Sequence, residues 1–555
     1  MIDRYSGDAG SSAPGQRTII SSLRGDGLKA ATFAVLTAAI LLRLWNFAAA
    51  RSLWTDEAMV AINIIHLPAR ALFGQLYFNQ LAPVGWLLLE KAALQVSSDF
   101  DYSLRFVALI GGIGSVVLFW RFMRAVADSW ETLAGVSLFG LTSALIAYSA
   151  MVKPYILDAL FAIALLLLAA TMLGKASHRL RITACYALVG LVCIPLSFGG
   201  AMVMAGTGLV LFAAALVRRD QPWAIALAAT GCAWLALFAG LYVFVYAGQQ
   251  TTVGNMTQIF WVDDFAPMPL SLKAIRWYPA ALASALSFLL SRLGGLTATV
   301  FFLFGCYCIW RRDRWLLALL LSPFVIAVIA SGLRAYPFET RFLLFLAPSA
   351  AVVVAIALVA AVRSFRYPAL AAVALLLLFG AKPLWLTATS AAQIPAWPVE
   401  EVKSNLRYLS RHMKPGDALF LSVSAERPYL LYARRYGMEN VRYQLLSRYR
   451  DSPTCINDDI RRITAARPAW LILYHSNTEE DKRSIAFMTR VLEQDGAITA
   501  ADSVPGSELM RIEGPSSSAF AKVLPRSAPV CGMPREGKAF LETIAARIRS
   551  QGHKA

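Results

Sequence analysis

Asp56 and Glu57 stand side by side in "RSLWTDEAMVAINI", residues 51 to 64, directly after a run of mostly apolar residues. Carboxylates placed against membrane-length apolar segments are costly, and such groups mark function by default. Other stretches share this character. "YSAMVKPYILDAL" brings Lys153, Tyr155 and Asp158, and "RAYPFETRFLLFLAP" brings Arg334, Glu339 and Arg341, each between two apolar runs. Arg43 lies near the end of the first run and Arg105 near the start of the next. A carboxylate can accept the proton of an attacking hydroxyl. Arg and Lys can hold a phosphate and stabilise the charge that grows on it as it leaves. Acids and cations together suit transfer from a lipid phosphate. A polyprenyl phosphate leaves readily and stays in the bilayer, so the reaction needs a base, cations and a membrane-facing cleft, with no obligatory acid.

The elements that must position these residues are membrane helices. Hydrophobic residues make up 58% of the chain and charged residues 15%, and the mean hydropathy of +0.56 lies outside the range of soluble globular domains. The apolar runs are about twenty residues long, the length a helix needs to cross the hydrocarbon core. Alternating segments of about ten residues, the mark of a membrane barrel, are absent. Spans are expected near 28–48, 103–120, 131–150, 154–173, 182–198, 200–217, 223–246, 293–310, 314–331, 342–362 and 368–389, about eleven in all. The first is too long for a cleaved signal sequence and reads as a retained helix. Arg24 and Lys29, Arg121 and Arg124, Lys175, Arg179 and Arg181, Arg218 and Arg219, Arg311 to Arg314, and Arg363 with Arg366 mark one set of ends as cytoplasmic. The segments 49–102 and 247–292, and everything after 390, then face outward. The net charge of +18 follows from this orientation and from the tail, so nucleic acid is not an expected partner.

Three regions result: a cytoplasmic tail, 1–27; a transmembrane domain, 28–389; and an extracytoplasmic domain, 390–555, which opens on the turn-rich "QIPAWPVEE". In the last, 399–412 reads as an amphipathic helix, "ALFLSV" as a strand, 425–435 as a helix and "AWLILYH" as a buried strand, giving a soluble α/β domain. It contains no Gly-rich phosphate loop, metal-spaced His/Cys cluster or nucleophile elbow. Outside the cytoplasm, Cys455 and Cys531 are expected to pair, with two free thiols as the alternative. The other cysteines fall in spans as packing residues.

"SLWTDEAMVAINI", "QLAPVGWLLLEK", "SLRFVALIGGIGSVVLF", "YSAMVKPYILDALFAIALLLLA" and "ETRFLLFLAPSAAVVVA" resemble successive landmarks of the bacterial GT-C glycosyltransferases, the group containing protein O-mannosyltransferases and lipid A aminoarabinose transferases. The resemblance covers about 30–390. It implies a GT-C type membrane domain, a polyprenyl-phosphate sugar as donor, an acidic residue of the first outer loop at the catalytic centre, matched by Asp56 with Glu57 beside it, and phosphate-binding cations, carried over to Lys153 and Arg341. Arg334 and Arg105 are further candidates for the phosphate, and Tyr155, Asp158 and Glu339 for substrate. The family often has Arg-x-Tyr where this chain has Lys153, Pro154 and Tyr155, and Lys binds phosphate as a point charge without a bidentate fork. The C-terminal domain does not resemble the accessory domain of eukaryotic protein mannosyltransferases. A lipid or polysaccharide of the bacterial envelope is therefore the expected acceptor, with a protein acceptor as the alternative, at the outer face of the inner membrane. No cofactor is required, although Asp56 and Asp158 are of the kind that suits a divalent cation.

Plainer readings stand beside these. Asp56 and Glu57 could be the acidic first turn of a helix, Asp158 a span-end residue reaching water, and Arg341 an interfacial Arg with its head in water. Trp54, Tyr155, Trp261, Trp277 and Tyr278 could stack on a sugar or form an aromatic belt. A lipid-linked sugar carrier or flippase would use the same cations without a base, and a structural subunit of an envelope complex would need neither.

Overall fold

The computed structural model describes residues 14–174, 178–249, 261–268, 272–290, 294–364, 400–447, 453–474, 479–494, 498–504 and 506–513. Among the described residues seven helical segments are long and apolar enough to cross a membrane: Asp26–Ala48, Phe100–Val126, Tyr155–Gly174, Gly199–Val217, Gln221–Gln249, Arg314–Gly332 and Thr340–Ser364. Each falls on an expected span. The chain is thus a polytopic helical membrane protein carrying a separate C-terminal sheet domain.

The first helix, α1 (Pro14–Ala48), leads into the outer segment, which folds as α2 (Thr55–His66), two 3-10 turns and α3 (Val84–Ala93). Helix α2 starts where it does because Glu57 reaches back to the Trp54 N–H at 3.3 Å, and because acids in the first turn suit the helix dipole. It stops at Leu67, whose backbone is extended before Pro68. The next span, α4 (Phe100–Val126), is capped by the Asp99 carboxylate.

The expected span 131–150 is interrupted. It forms α5 (Ser129–Gly140) and α6 (Ser143–Tyr148), of 12 and 6 residues. A break inside a membrane frees backbone carbonyls that lipid cannot satisfy. Arg43, fully buried, donates to the Gly140 carbonyl at 2.8 Å, and Asn46 donates to the Ile146 carbonyl at 3.0 Å. Arg43 therefore serves this break. Then come α7 (Tyr155–Gly174), α8 (Arg179–Cys193), α9 (Gly199–Val217) and α10 (Gln221–Leu241). The expected span 182–198 coincides with α8, of 15 residues, and 293–310 with helix Gly295–Arg312, of 18. The span at 368–389 lies outside the described residues.

Helices α4 and α7 pack closely, and the turn 149–154 between α6 and α7 lies on α4. Gly112 makes this approach feasible: a Cβ there would stand 2.1 Å from the Ser149 hydroxyl oxygen. At the other end of the bundle, Arg312 pairs with Glu131 at 2.9 Å, and Arg363 with Asp128 at 2.8 Å.

The C-terminal domain is a five-stranded sheet in the order β2-β1-β3-β5-β4, with β1 (Ala418–Leu421), β2 (Tyr443–Leu445) and β3 (Ala469–Tyr474) parallel, and β4 (Ile498–Val504) and β5 (Ser507–Ile512) an antiparallel hairpin. All six residues of β3 are buried, as a central strand covered on both faces requires. Alternation sorts them: Leu471 and Leu473 join Phe420 beneath helices Pro453–Ala465 and Glu479–Gln494, while Trp470, Ile472 and Tyr474 face the membrane domain. On that side one core runs without interruption from Leu53, Ile62, Trp86 and Leu104 into Leu406, Leu419, Tyr429 and Tyr432. Cys455 is buried and disulfide-bonded; Cys531 lies outside the described residues.

Candidate active site

Helix α2 presents Asp56 at the mouth of the bundle. Its carboxylate Oδ2 is 3.0 Å from the Lys153 ammonium and 3.5 Å from Arg341 Nη1. Lys153 comes from the turn 149–154, and Arg341 from the 3-10 segment Thr340–Leu346. Asp56 keeps 27% side-chain exposure, whereas Lys153 keeps 9% and Arg341 15%. A solvent-reachable carboxylate therefore lies against two cations that are themselves largely desolvated. Burial by itself would raise the Asp56 carboxyl; Lys153 and Arg341 outweigh it and hold the group below the usual carboxylate range.

Arg341 is fixed on several sides. Its backbone N–H donates to the Glu339 carboxylate at 3.0 Å, and its guanidinium is 3.6 Å from the same group. The bond to the Arg341 N–H makes Glu339 the cap of the 3-10 segment, and Glu339 also accepts from the Thr340 hydroxyl at 2.8 Å. The guanidinium lies over Trp261 at 5.5 Å and Phe342 at 5.2 Å. Tyr155 meets Phe342 edge-on at 5.7 Å and Tyr148 at 5.4 Å. Arg341 thus sits against an aromatic wall, to which Trp261 and Tyr155 belong through Phe342.

The other expected site residues divide. Glu57 is only 3% exposed and accepts from the Val152 N–H at 2.7 Å and the Trp54 N–H at 3.3 Å. Burial lifts its carboxyl above the ordinary range, against the pull of Arg105 and the two amides. It holds the Lys153 turn onto α2 and has no oxygen left open to a substrate. Asp158 is likewise buried, accepting from the Ser197 hydroxyl at 2.5 Å. Gly199 allows this packing, since a Cβ there would meet Phe345 at 2.6 Å and the Asp158 carboxylate at 3.1 Å. Arg105 is committed to backbone, donating to Ala150 O at 2.9 Å, Asp101 O at 2.9 Å and Arg51 O at 2.6 Å. Arg334 is exposed on a left-handed turn (φ +55°) and forms no ion pair among the described residues. The geometry therefore joins Asp56, Lys153, Arg341, Glu339 and Tyr155, and turns Glu57, Asp158 and Arg105 to support.

Among the described residues no three His, Cys, Asp or Glu side chains come together as a metal site. Asp56 faces Lys153 and Arg341, and Asp158 accepts from Ser197. Sequence reasoning passed over Asp101, Ser197, Tyr432 and Arg435. Asp101 carried the one available signal, an acid in the first turn of a span, but its partners lie some three hundred residues away.

No family model and no curated protein matches the chain. Among solved structures, it is similar to ArnT from Cupriavidus metallidurans in the apo state, with 12% identity over 88% of this chain and 100% of that one and a TM-score of 0.49. The same protein bound to undecaprenyl phosphate gives 12% identity, 87% and 99% coverage and a TM-score of 0.47. The oligosaccharyltransferase of Archaeoglobus fulgidus, complexed with Zn and sulfate, gives 14% identity over 80% of this chain and 68% of that one, with a TM-score of 0.47.

Proposed function

We propose that this protein is a membrane glycosyltransferase that moves a sugar from a polyprenyl-phosphate donor to a lipid or polysaccharide of the bacterial envelope, at the outer face of the inner membrane. The observation that carries the reading is the partly exposed Asp56 carboxylate beside two desolvated cations, Lys153 at 3.0 Å and Arg341 at 3.5 Å. Lys153 and Arg341 bind the donor phosphate. In doing so they turn from Asp56 to the phosphate, which lets the carboxyl rise toward its ordinary range and makes it a better base when donor is present. The acceptor hydroxyl attacks the anomeric carbon opposite the phosphate. Its proton passes to Asp56, the carbon–oxygen bond to phosphate breaks, and the electron pair stays on the departing polyprenyl phosphate under the two cations. A single displacement inverts the anomeric centre, and no second nucleophile takes part.

The test is transfer in liposomes from a defined polyprenyl-phosphate sugar, with the label followed onto envelope lipids and polysaccharides. Parent protein should move the label and Asp56→Asn should not. Intact labelled donor crossing the bilayer without transfer, equally in both proteins, would identify a carrier instead. Label on protein alone would replace the acceptor.

A further inference from the structure

We infer that the C-terminal domain sets the spacing of Asp56 and Lys153, acting through the buried carboxylate of Asp101 and the guanidinium of Arg105. The consequence for catalysis rests on the reading of Asp56 and Lys153 as the reacting centre; the geometry does not.

Asp101 belongs to α4 and is 1% exposed. One oxygen accepts from the Tyr432 hydroxyl at 2.5 Å and lies 3.5 Å from Arg105; the other accepts from Lys403 at 3.1 Å and Arg435 at 2.7 Å. Three of these four partners come from the C-terminal domain. A carboxylate buried so deeply needs them, because an unpaired buried charge is strongly destabilising.

From this hub two arms reach the site. Tyr432 accepts from the Leu53 N–H at 3.0 Å, three residues before Asp56. Arg105 spans Arg51 O and Ala150 O, so one planar guanidinium ties the backbone leading to Asp56 to the backbone leading to Lys153. Further contacts hold the same strand of chain. Lys403 donates to Ala50 O, Ser52 donates to Glu401 at 2.7 Å and accepts from the Val402 and Lys403 N–H groups, and the Thr55 hydroxyl donates to Ser424 O at 3.0 Å. The entire approach to α2 is thus gripped from the C-terminal domain. Tyr432, Arg435 and Lys403 are positioning residues, not catalytic ones.

The test reads Lys153 directly and needs no substrate. Full-length protein in detergent is treated briefly with acetic anhydride, and acetylation of Lys153 is measured by mass spectrometry against Lys29, whose side chain is 73% exposed. Parent Lys153, paired and desolvated, should react slowly, and Asp56→Asn should speed it. Tyr432→Phe and Arg435→Gln should raise the Lys153 rate about fivefold to a hundredfold, the change in local opening expected for two lost hydrogen bonds, Tyr432 with Asp101 and Leu53 and Arg435 with Asp101 and Asp99, while Arg435→Lys restores it. Arg312→Gln, which breaks an ion pair at the opposite end of the bundle, should leave Lys153 unchanged even if it lowers Tm. The inference is overturned if Lys153 reacts at the parental rate in Tyr432→Phe and Arg435→Gln, or if Arg312→Gln raises it equally. Should Tyr432→Phe not fold, Arg435→Gln carries the test, since that side chain is 30% exposed. Absence of sugar transfer by parent protein would sink the proposed function and leave these rates just as readable.

Discussion

Asp56 and Glu57 diverge by about 100° on a helix, and α2 uses that divergence to give two identical functional groups different surroundings. Asp56 meets cations at the mouth of the site, and Glu57 meets backbone amides beneath it. Asp56→Asn keeps the shape and removes the proposed base, so turnover should fall about a hundredfold to ten-thousandfold with donor binding retained. Glu57→Gln should act differently, lowering Tm and loosening the Lys153 turn, with a smaller loss of turnover. Equal transfer by parent and both variants would reduce the pair to a helix start. In the proposed reaction Arg341→Ala removes one charge-assisted phosphate contact, worth about 1.5 to 3 kcal/mol, and kcat/KM for donor should drop roughly tenfold to a hundredfold. If donor saturates Arg341→Ala and parent at the same concentration, the residue does not touch the phosphate.

At the scale of elements, α2 is a short helix held at both ends. Its last residue, His66, lies near Lys91 of α3 and Arg434 of the C-terminal domain, and burial together with these two charges lowers its pKa from 6.5 to about 4. In the unfolded chain the imidazole takes a proton near its ordinary value, whereas in the folded protein it resists until about 4. Between those values the unfolded state binds more protons, so stability falls as pH drops through that window and levels off below it. Thermal unfolding of parent and His66→Gln at pH 7, 6, 5 and 4 checks this: the variant should show the shallower decline. Parallel curves would mean that the imidazole is as free to protonate in the fold as outside it.

For the whole molecule, the sheet domain packs on α2, so it must lie on the same side of the membrane as Asp56. Basic helix ends at 121–124, 218–219, 311–314 and 363 gather at the opposite end, where Arg312 and Arg363 pair with Glu131 and Asp128. A reporter active only in the cytoplasm and fused after Ala555 should therefore stay silent, and the same reporter fused within 219–221 should be active. The reverse pattern would invert the proposed orientation. The proposed orientation puts disulfide-bonded Cys455 outside the cytoplasm, and peptide mapping without reductant should recover it joined to Cys531; recovery of Cys531 as a free thiol would contradict that pairing.

Hydropathy alone was enough for the helical membrane class and for the spans that became α1, α4, α7, α9 and α10, because each must cover the hydrocarbon core with its own residues. Apolar runs and turn chemistry were enough for β1 and β3 and for the helices Lys403–His412 and Val423–Tyr432, expected at 399–412 and 425–435, but not for the helices Pro453–Ala465 and Glu479–Gln494 or for β2, β4 and β5. The break between α5 and α6 was not legible, since it depends on Arg43 being at hand to satisfy the Gly140 carbonyl that a continuous helix would have bonded itself. The candidate site shows the same division. Residue type and position between spans singled out Asp56, Lys153 and Arg341, since charge against apolar segments is costly wherever it occurs. Nothing local distinguished them from Glu57, Asp158 and Arg105, which are of the same chemical types in the same stretches. That distinction came from the tertiary structure: which carboxylate finds amides, which guanidinium finds carbonyls, and which are left facing one another is a matter of packing between segments hundreds of residues apart.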